Sequence, residues 1–123
     1  MCGTRTFSDY PLLRRKLDVV LATKVAAGFQ IIIIHGGCNG ADKMAERYAK
    51  ENGYRWLVYP ADWSIGKSAG PIRNAKMIAN ADALIAFWDG KSVGTADAII
   101  KASRAKLPTR TIMFGRNSNS DQS

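Results

Sequence analysis

The stretch from Gln30 to Asp42, QIIIIHGGCNGAD, decides the fold of this chain. Its four consecutive isoleucines have the composition of a strand that helices bury on both faces. The glycine-rich turn that follows leads into a segment whose apolar residues return with the spacing of a helix. That spacing is carried by Ala41, Met44, Ala45, Tyr48 and Ala49, and Gly53 ends the helix. A strand, a glycine turn and a helix in direct succession are typical of an α/β protein with a parallel sheet.

The same alternation continues on both sides of this stretch. Upstream, apolar residues between Leu13 and Val25 recur with a helical period, and Ser8 or Asp9 is the expected cap. Downstream, the pattern predicts strands at 54–60, 83–88 and 109–114, and helices at 71–79 and 96–105. Only Met1 and Cys2 precede the turn GTR at 3–5, so the first strand is expected to be very short. Either the sheet tolerates a stub there, or a natural start lies upstream.

Length and composition predict one globular domain over residues 1–114. A chain of 123 residues is long enough for one hydrophobic core and too short for two comfortable ones. Residues 115–123, GRNSNSDQS, have the polar composition of a disordered tail. No apolar run approaches the roughly 20 residues of a membrane helix, and the N-terminus lacks a signal-peptide pattern. We therefore expect a cytoplasmic protein with no membrane partner.

Charge favours an anionic partner. The chain has 18 Lys and Arg against 10 Asp and Glu, a net charge of +8. Such a balance suits a nucleotide, a nucleic acid or a phosphorylated metabolite, but the basic residues form no dense run of the kind that favours nucleic acid. Two cysteines and one histidine supply too few ligands for zinc, so we expect neither a metal nor a cofactor.

Three loops follow predicted strands and have the composition of phosphate-binding loops: GTR at 3–5, HGGCNGAD at 35–42 and DGKSVGTAD at 89–97. Glycines let backbone N–H groups approach an anion, and the start of a following helix is electropositive. In parallel sheets such loops meet beyond the carboxyl ends of the strands. The alternative for each glycine is a tight turn or a helix cap, and for Gly37 or Gly90 taken alone this alternative is favoured. The predicted ligand contacts in these loops are Gly3, Thr4, Arg5, Gly36, Gly37, Gly40, Asp42, Gly90, Ser92, Gly94 and Thr95.

Two nucleotide-binding motifs are excluded by spacing. GKS occurs at 66–68 and 90–92, but a Walker A loop needs a glycine five positions before the GK glycine, and Ala61 and Ile85 stand there. HGGCNG lacks the first glycine of the dinucleotide fingerprint GxGxxG. A P-loop NTPase and a Rossmann dehydrogenase are therefore disfavoured.

Two further segments add candidate ligand contacts. Arg73, one turn into the helix that GPIRNAKM begins, can form two parallel hydrogen bonds with a phosphate, and Asn74 can read a polar edge or cap the turn. After Pro60, the carboxylate of Asp62 suits ribose hydroxyls, and the indole of Trp63 suits a base. A surface arginine and a core tryptophan are the alternatives.

Five segments carry a family resemblance: GTRTFSDY, HGGCNGADKMAERYA, YPADW, GKSAGPIRNAKM and FWDGKSVGTADAI. Their order over residues 3–113 resembles the YspA-like branch of the SLOG superfamily, Rossmann-like domains related to LOG phosphoribohydrolases and the Smf/DprA proteins. The resemblance implies a three-layer α/β/α domain with strand order 3-2-1-4-5, a nucleotide-derived ligand over the strand ends, and a dimer. Members of the superfamily act as enzymes, as sensors of nucleotide signals including NAD-derived ones, and as nucleic-acid-binding modules.

The resemblance also indicates which residues of this chain match the catalytic residues of LOG enzymes. LOG enzymes cleave the N-glycosidic bond of nucleoside monophosphates with an arginine and with the glutamate of a PGGxGTxxE loop. Arg73 matches the arginine, whereas Ala98 stands at the glutamate position. Because a carboxylate stabilises the oxocarbenium-like state or activates water, alanine removes that contribution. Asp97 and Asp89 are the nearby acids on which an enzyme would depend.

Three functions follow from these residues. The first is a domain that binds a nucleotide or a nucleotide-derived phosphorylated ligand, as a sensor or a sequestering protein. The second is an enzyme, either an N-glycosidase of the phosphoribohydrolase type or a nucleotide hydrolase, with Arg73, Asp97 and Asp89 as catalytic residues. The third is a nucleic-acid-binding module. The loss of the glutamate favours binding over catalysis.

Overall fold

The computed structural model describes residues 1–4 and 6–114. Arg5, a predicted ligand contact, and the predicted disordered tail 115–123 lie outside the described residues. The described chain alternates strands and helices as the sequence predicts. The strands are β1 Cys2–Gly3, β2 Ile32–His35, β3 Arg55–Val58, β4 Leu84–Trp88 and β5 Thr109–Met113. The helices are α1 Tyr10–Ala26, α2 Ala41–Glu51, α3 Ala69–Ala79 and α4 Val93–Arg104, with a short 3-10 helix at Trp63–Ile65.

The strands pair in parallel and form two hydrogen-bonded sheets. One sheet has the order β1-β4-β5, and β2 pairs with β3 in the other. The expected single sheet of order 3-2-1-4-5 is therefore wrong, while its neighbours 3-2 and 1-4-5 are confirmed. The physical reason is that β1 has only two residues, which pair with Ala86 and Phe87 of β4 and form no strand pairing with β2. A hydrogen bond of 2.8 Å from the Met1 amino group to the Ile34 carbonyl oxygen connects the two sheets.

Successive residues of β4 pack against different helices. Phe87 belongs to a buried cluster with Leu13 of α1 and Tyr48 of α2. Its neighbour Ala86 belongs to a second cluster with residues of α3 and α4, among them Ala98. Because alternate side chains of a strand point to opposite faces, α1 and α2 cover one face and α3 and α4 cover the other. The helices and strands thus form three layers.

α1 begins at the cap that the sequence predicts. The side chain of Asp9 accepts a hydrogen bond of 3.0 Å from the Leu12 N–H, and Pro11 occupies the first turn, where its missing N–H has no intrahelical acceptor to lose. α1 has 17 residues. Neither α1 nor any other helix of the described chain has the length and apolarity that crossing a membrane requires.

α4 begins at Val93, earlier than the predicted start at Ala96. Asp89 at the end of β4 accepts hydrogen bonds from the backbone N–H groups of Lys91 at 2.8 Å and Ser92 at 2.9 Å. These bonds turn the chain directly from the strand into the helix. The first turn of α4 therefore lies inside the glycine-containing loop, beyond the carboxyl end of the sheet.

Candidate ligand-binding site

A cavity of about 490 Å³ lies at the carboxyl ends of the strands, between the starts of α3 and α4. This volume falls within the usual range of small-ligand pockets, about 300–1,000 Å³. The loops after β1, β2 and β4 all reach it, as expected for a parallel sheet. The predicted site residues that line it are Gly3, Thr4, Asp42, Trp63, Arg73, Asn74, Ser92, Gly94, Thr95 and Asp97.

Other predicted site residues do not line this cavity: Gly36, Gly37, Gly40, Asp62, Asp89 and Gly90. Gly37, Gly40 and Gly90 have positive φ angles, so they shape the loops through backbone conformation. Their contact with a ligand stays a prediction. The lining also contains residues that the sequence did not single out as ligand contacts, among them Thr6, Cys38, Lys67, Gly70, Pro71 and Val93.

Arg73 of α3 is fixed by protein acceptors. Its Nη1 donates to the Gly36 carbonyl oxygen at 3.0 Å and lies 3.5 Å from the Tyr59 carbonyl oxygen, while its Nε donates to Asn74 Oδ1 at 3.0 Å. Its Nη2 has no hydrogen-bond partner among the described residues, and Arg73 is one of the residues that line the cavity. The guanidinium is thus held in place on one side and has a donor available on the other.

Gly36 is required for this arrangement. A Cβ atom at this position would lie 2.2 Å from Arg73 Nη1 and 2.8 Å from its Cζ. No ordinary contact is that short, so any other residue would displace the guanidinium. Gly36 does not line the cavity itself, but it leaves the space that the Arg73 guanidinium occupies.

The first turn of α4 forms another side of the cavity. Ser92, Val93, Gly94 and Thr95 line it, and the Ser92 and Thr95 hydroxyl oxygens lie 3.3 Å apart. The first N–H groups of a helix have no intrahelical acceptor and form an electropositive end. This end faces the same cavity as Arg73. Asp89, by contrast, is engaged by the loop N–H groups, which lower its pKa.

Asp97 lines the cavity one turn further along the sequence of α4. Its Oδ1 accepts a 2.6 Å hydrogen bond from Lys101 Nζ, and its Oδ2 accepts one of 3.0 Å from Asn74 Nδ2. Burial raises the pKa of Asp97, but the Lys101 ammonium and the Asn74 amide outweigh burial and hold the pKa below its ordinary value. Asp97 is therefore an ionised carboxylate at neutral pH. Ala98, at the glutamate position of LOG enzymes, is fully buried in the core.

Asp42 of α2 lies under the cavity with 5% of its surface exposed. Its Oδ2 accepts hydrogen bonds of 3.1 Å from the N–H groups of Gly36 and Cys38, so the carboxylate shapes the loop after β2. Its Oδ1 is buried and has no partner among the described residues. Burial raises the pKa of Asp42 above its ordinary value, although the Cys38 N–H, the Met1 amino group, His35 and Arg73 oppose the rise.

Replacing Asp42 with asparagine is expected to raise the free energy of unfolding at neutral pH. Because the folded-state pKa exceeds the unfolded value of 3.8, the folded protein binds more protons between the two values, and stability falls as pH rises through the folded pKa. The asparagine would keep an oxygen for the two loop N–H groups and remove the buried charge. Each pKa unit by which the folded protein exceeds the unfolded chain corresponds to about 1.4 kcal/mol that the charged carboxylate costs at neutral pH, and the amide removes this cost.

Urea unfolding of wild type and Asp42→Asn at several pH values between 4 and about 8 tests this expectation. The wild-type curve should decline with pH more steeply than the variant curve. Asp82→Asn, at an exposed carboxyl, is the charge-matched control. Parallel curves for wild type and Asp42→Asn would contradict the interpretation.

Trp63 stands at the rim of the cavity with 52% of its surface exposed. It lies in the short 3-10 helix that Asp62 caps by accepting the Ser64 N–H at 3.2 Å. The edge of its indole lies over Gly70, whose absent side chain leaves that space to the ring. Asp62 thus positions the tryptophan, whose half-exposed indole lies at the rim of the cavity.

Comparisons with known proteins agree with this architecture. A model of the YAcAr family, the YspA, cpYpsA-related SLOG family, matches residues 1–66. The chain is also similar to the Gene 61 protein of Mycobacterium phage D29, with 38% identity over 94 residues. That similarity covers 71% of this chain and 74% of the phage protein. No solved structure matches the chain at a significant level.

Proposed function

Because this chain belongs to the YspA, cpYpsA-related SLOG family, we propose that its cavity binds a nucleotide or a nucleotide-derived phosphorylated ligand. Family membership points at a general level to the binding or processing of such ligands. One observation carries the proposal for this chain: Arg73, whose Nη2 is bonded to no described residue, and the electropositive start of α4 line the same cavity. Two donors of different kinds converging on one space suit a phosphate group.

The remaining lining residues suit the other parts of a nucleotide. Trp63 at the rim offers an indole face on which a base can stack. The carboxylate of Asp97 also lines the cavity, and the lone pairs that Lys101 and Asn74 leave unused suit the hydroxyl groups of a nucleotide. Lys67 also lines the cavity and adds a second positive charge near its opening. The biological role we propose is that of a sensor or a sequestering protein for a nucleotide signal.

Thermal shift and calorimetry test this proposal with AMP, ADP, NAD, ADP-ribose and inorganic phosphate. A ligand at 100 times its Kd should stabilise the fold by about 2.7 kcal/mol, which is on the order of 10 °C for a domain of this size. A rise with nucleotides that exceeds the rise with phosphate supports the proposal. If no nucleotide raises the melting temperature and single-stranded DNA does, the nucleic-acid-binding function replaces it.

Gly94→Ala separates ligand contact from stability. Gly94 lies in the first turn of α4, and a Cβ atom there would meet no atom within 4 Å, so the folded protein should be at least as stable as wild type. In the proposed complex the same methyl group would occupy space at the phosphate. We expect binding about tenfold weaker or worse, equivalent to about 1.4 kcal/mol. Unchanged affinity in calorimetry would place the phosphate elsewhere.

Catalysis by Asp97 is the second candidate function, because this carboxylate is ionised and lines the cavity. The ion pair with Lys101 and the hydrogen bond from Asn74 place one donor on each of its oxygens and stabilise the ionised form, which favours ligand binding over proton abstraction from water. Incubation with nucleoside monophosphates, NAD and ADP-ribose, followed by chromatography of released base, distinguishes a catalytic protein from one that only binds its ligand. Turnover that disappears in Asp97→Asn would establish the enzyme.

A further inference from the structure

Asn74 of α3 is a buried polar residue that is bonded on three sides, with only 3% of its surface exposed. Its Oδ1 accepts a hydrogen bond of 3.0 Å from Arg73 Nε. Its Nδ2 donates to the Gly94 carbonyl oxygen at 3.1 Å and to Asp97 Oδ2 at 3.0 Å. A side-chain amide has two N–H donors, so α4 takes both, and none is left for the oxygens of a phosphate. Asn74 can therefore act on a phosphate only through other residues.

The partners of Asn74 fix the orientation of its amide. The guanidinium of Arg73 only donates, whereas the Gly94 carbonyl and the ionised carboxylate of Asp97 only accept. A rotated amide would turn its donors toward the guanidinium and its acceptor toward the two oxygens of α4. One side chain thus connects the arginine of α3 with the start of α4 in a single geometry.

The amide also leaves the charge of Arg73 intact. Among the ion pairs of the described chain, none includes Arg73. The carboxylate of Asp97 pairs with Lys101 instead, and Asn74 is bonded both to that carboxylate and to the guanidinium. An aspartate at position 74 would accept the same bond from Arg73 and would neutralise it. The neutral amide holds the guanidinium in place and leaves its positive charge to attract an anion.

We propose that Asn74 is a positioning residue: it sets the spacing between Arg73 and the first turn of α4, and thereby makes the cavity select the phosphate group of its ligand. This inference rests on the nucleotide function proposed above, because it concerns the same cavity. Two donors on different helices bind one phosphate well only when their separation matches its oxygens. Supporting hydrogen bonds must hold such donors to within about 0.5 Å, and Asn74 supplies bonds of this kind to both helices.

Binding of AMP and adenosine tests the proposal by calorimetry, because the two probes differ only in the phosphate group. Asn74→Leu, similar in size but without hydrogen-bonding groups, should weaken AMP binding about tenfold or more and leave adenosine binding unchanged. Asn74→Asp keeps an acceptor for Arg73 but pairs its charge, so AMP binding should also weaken about tenfold or more. Asn80→Leu makes the same change as Asn74→Leu at an exposed asparagine that ends α3, and should bind both probes as wild type does.

A second measurement needs no ligand. In wild type the Nε–H of Arg73 should exchange slowly with water, because Asn74 accepts it, and Arg73→Lys identifies its NMR signal by removing it. This proton should exchange about tenfold faster in Asn74→Leu and stay protected in Asn74→Asp and Asn80→Leu.

The outcomes separate positioning from a purely structural role. Equal losses of AMP and adenosine affinity in Asn74→Leu would overturn the proposal, because the residue would then support the fold alone. Unchanged AMP affinity in Asn74→Leu or Asn74→Asp would overturn it as well. If Asn74→Leu failed to fold, Asn74→Asp would decide by the same comparison. If wild type bound neither probe, the nucleotide function would be wrong, and the exchange rate of the Arg73 proton would still decide whether Asn74 positions the guanidinium.

Discussion

Replacing Ala98 with glutamate is expected to lower the free energy of unfolding by about 4 kcal/mol, because Ala98 is fully buried. It packs in the core with Leu84 and Ala86 of β4, where a carboxylate would have neither room nor solvent. Most domains are stable by only about 5–15 kcal/mol, so much of the protein should be unfolded at ordinary temperature. Urea unfolding monitored by circular dichroism measures the change.

Ile100→Glu is the matched control for this substitution. It adds the same carboxylate to α4, but at a position with 50% of its surface exposed, and should cost less than about 1 kcal/mol. The comparison bears on function as well as stability. A folded Ala98→Glu protein that released base from nucleoside monophosphates would show that position 98 can serve as the catalytic position of LOG enzymes. Loss of folding would show that position 98 of this chain is needed for core packing and does not accept a carboxylate.

Replacing Arg73 with alanine weakens nucleotide binding about 100-fold, or about 2.7 kcal/mol. The substitution removes a guanidinium that lines the cavity, together with its hydrogen bonds to the Gly36 and Asn74 oxygens. Arg73→Lys restores the charge without the planar pair of donors and should recover only part of the affinity. Calorimetry at fixed salt concentration measures the affinity of wild type, Arg73→Ala and Arg73→Lys for the nucleotide.

Arg104→Ala controls for net charge, because Arg104 is an exposed arginine at the C-terminal end of α4. This protein should bind as wild type does. Circular dichroism must show Arg73→Ala to be folded before its affinity is interpreted. Equal affinities for Arg73→Ala and Arg104→Ala would refute the phosphate contact assigned to Arg73.

Periodicity and composition predicted the elements well because each depends on local sequence. The isoleucine strand, the helix after the glycine turn and the cap at Asp9 are all present. Sheet continuity depends on how far β1 extends beside β2, which no local pattern reports. The two-residue strand therefore produced two sheets where one was expected.

The candidate site was predictable to the extent that strand ends converge in a parallel sheet. Composition could not separate glycines that shape a loop from residues that line a cavity, as Gly36 and Gly90 show. Lys67 was considered only as part of a failed Walker motif, although a cation next to the GPIR segment was a usable signal. The packing of α4 determines that Asp97 lines the cavity and that Ala98 lies in the core, and this packing could not be inferred from the sequence.

The bonds that fix the Arg73 guanidinium bear on how fast and how selectively an anion can be captured. A guanidinium that backbone oxygens already hold has lost most of its rotational freedom before any ligand arrives, so binding need not repeat that entropic loss. Its remaining donor points in one direction rather than sampling many. The chain should therefore discriminate anions by shape at the moment of encounter, favouring those whose oxygens match a fixed donor over those that carry charge alone.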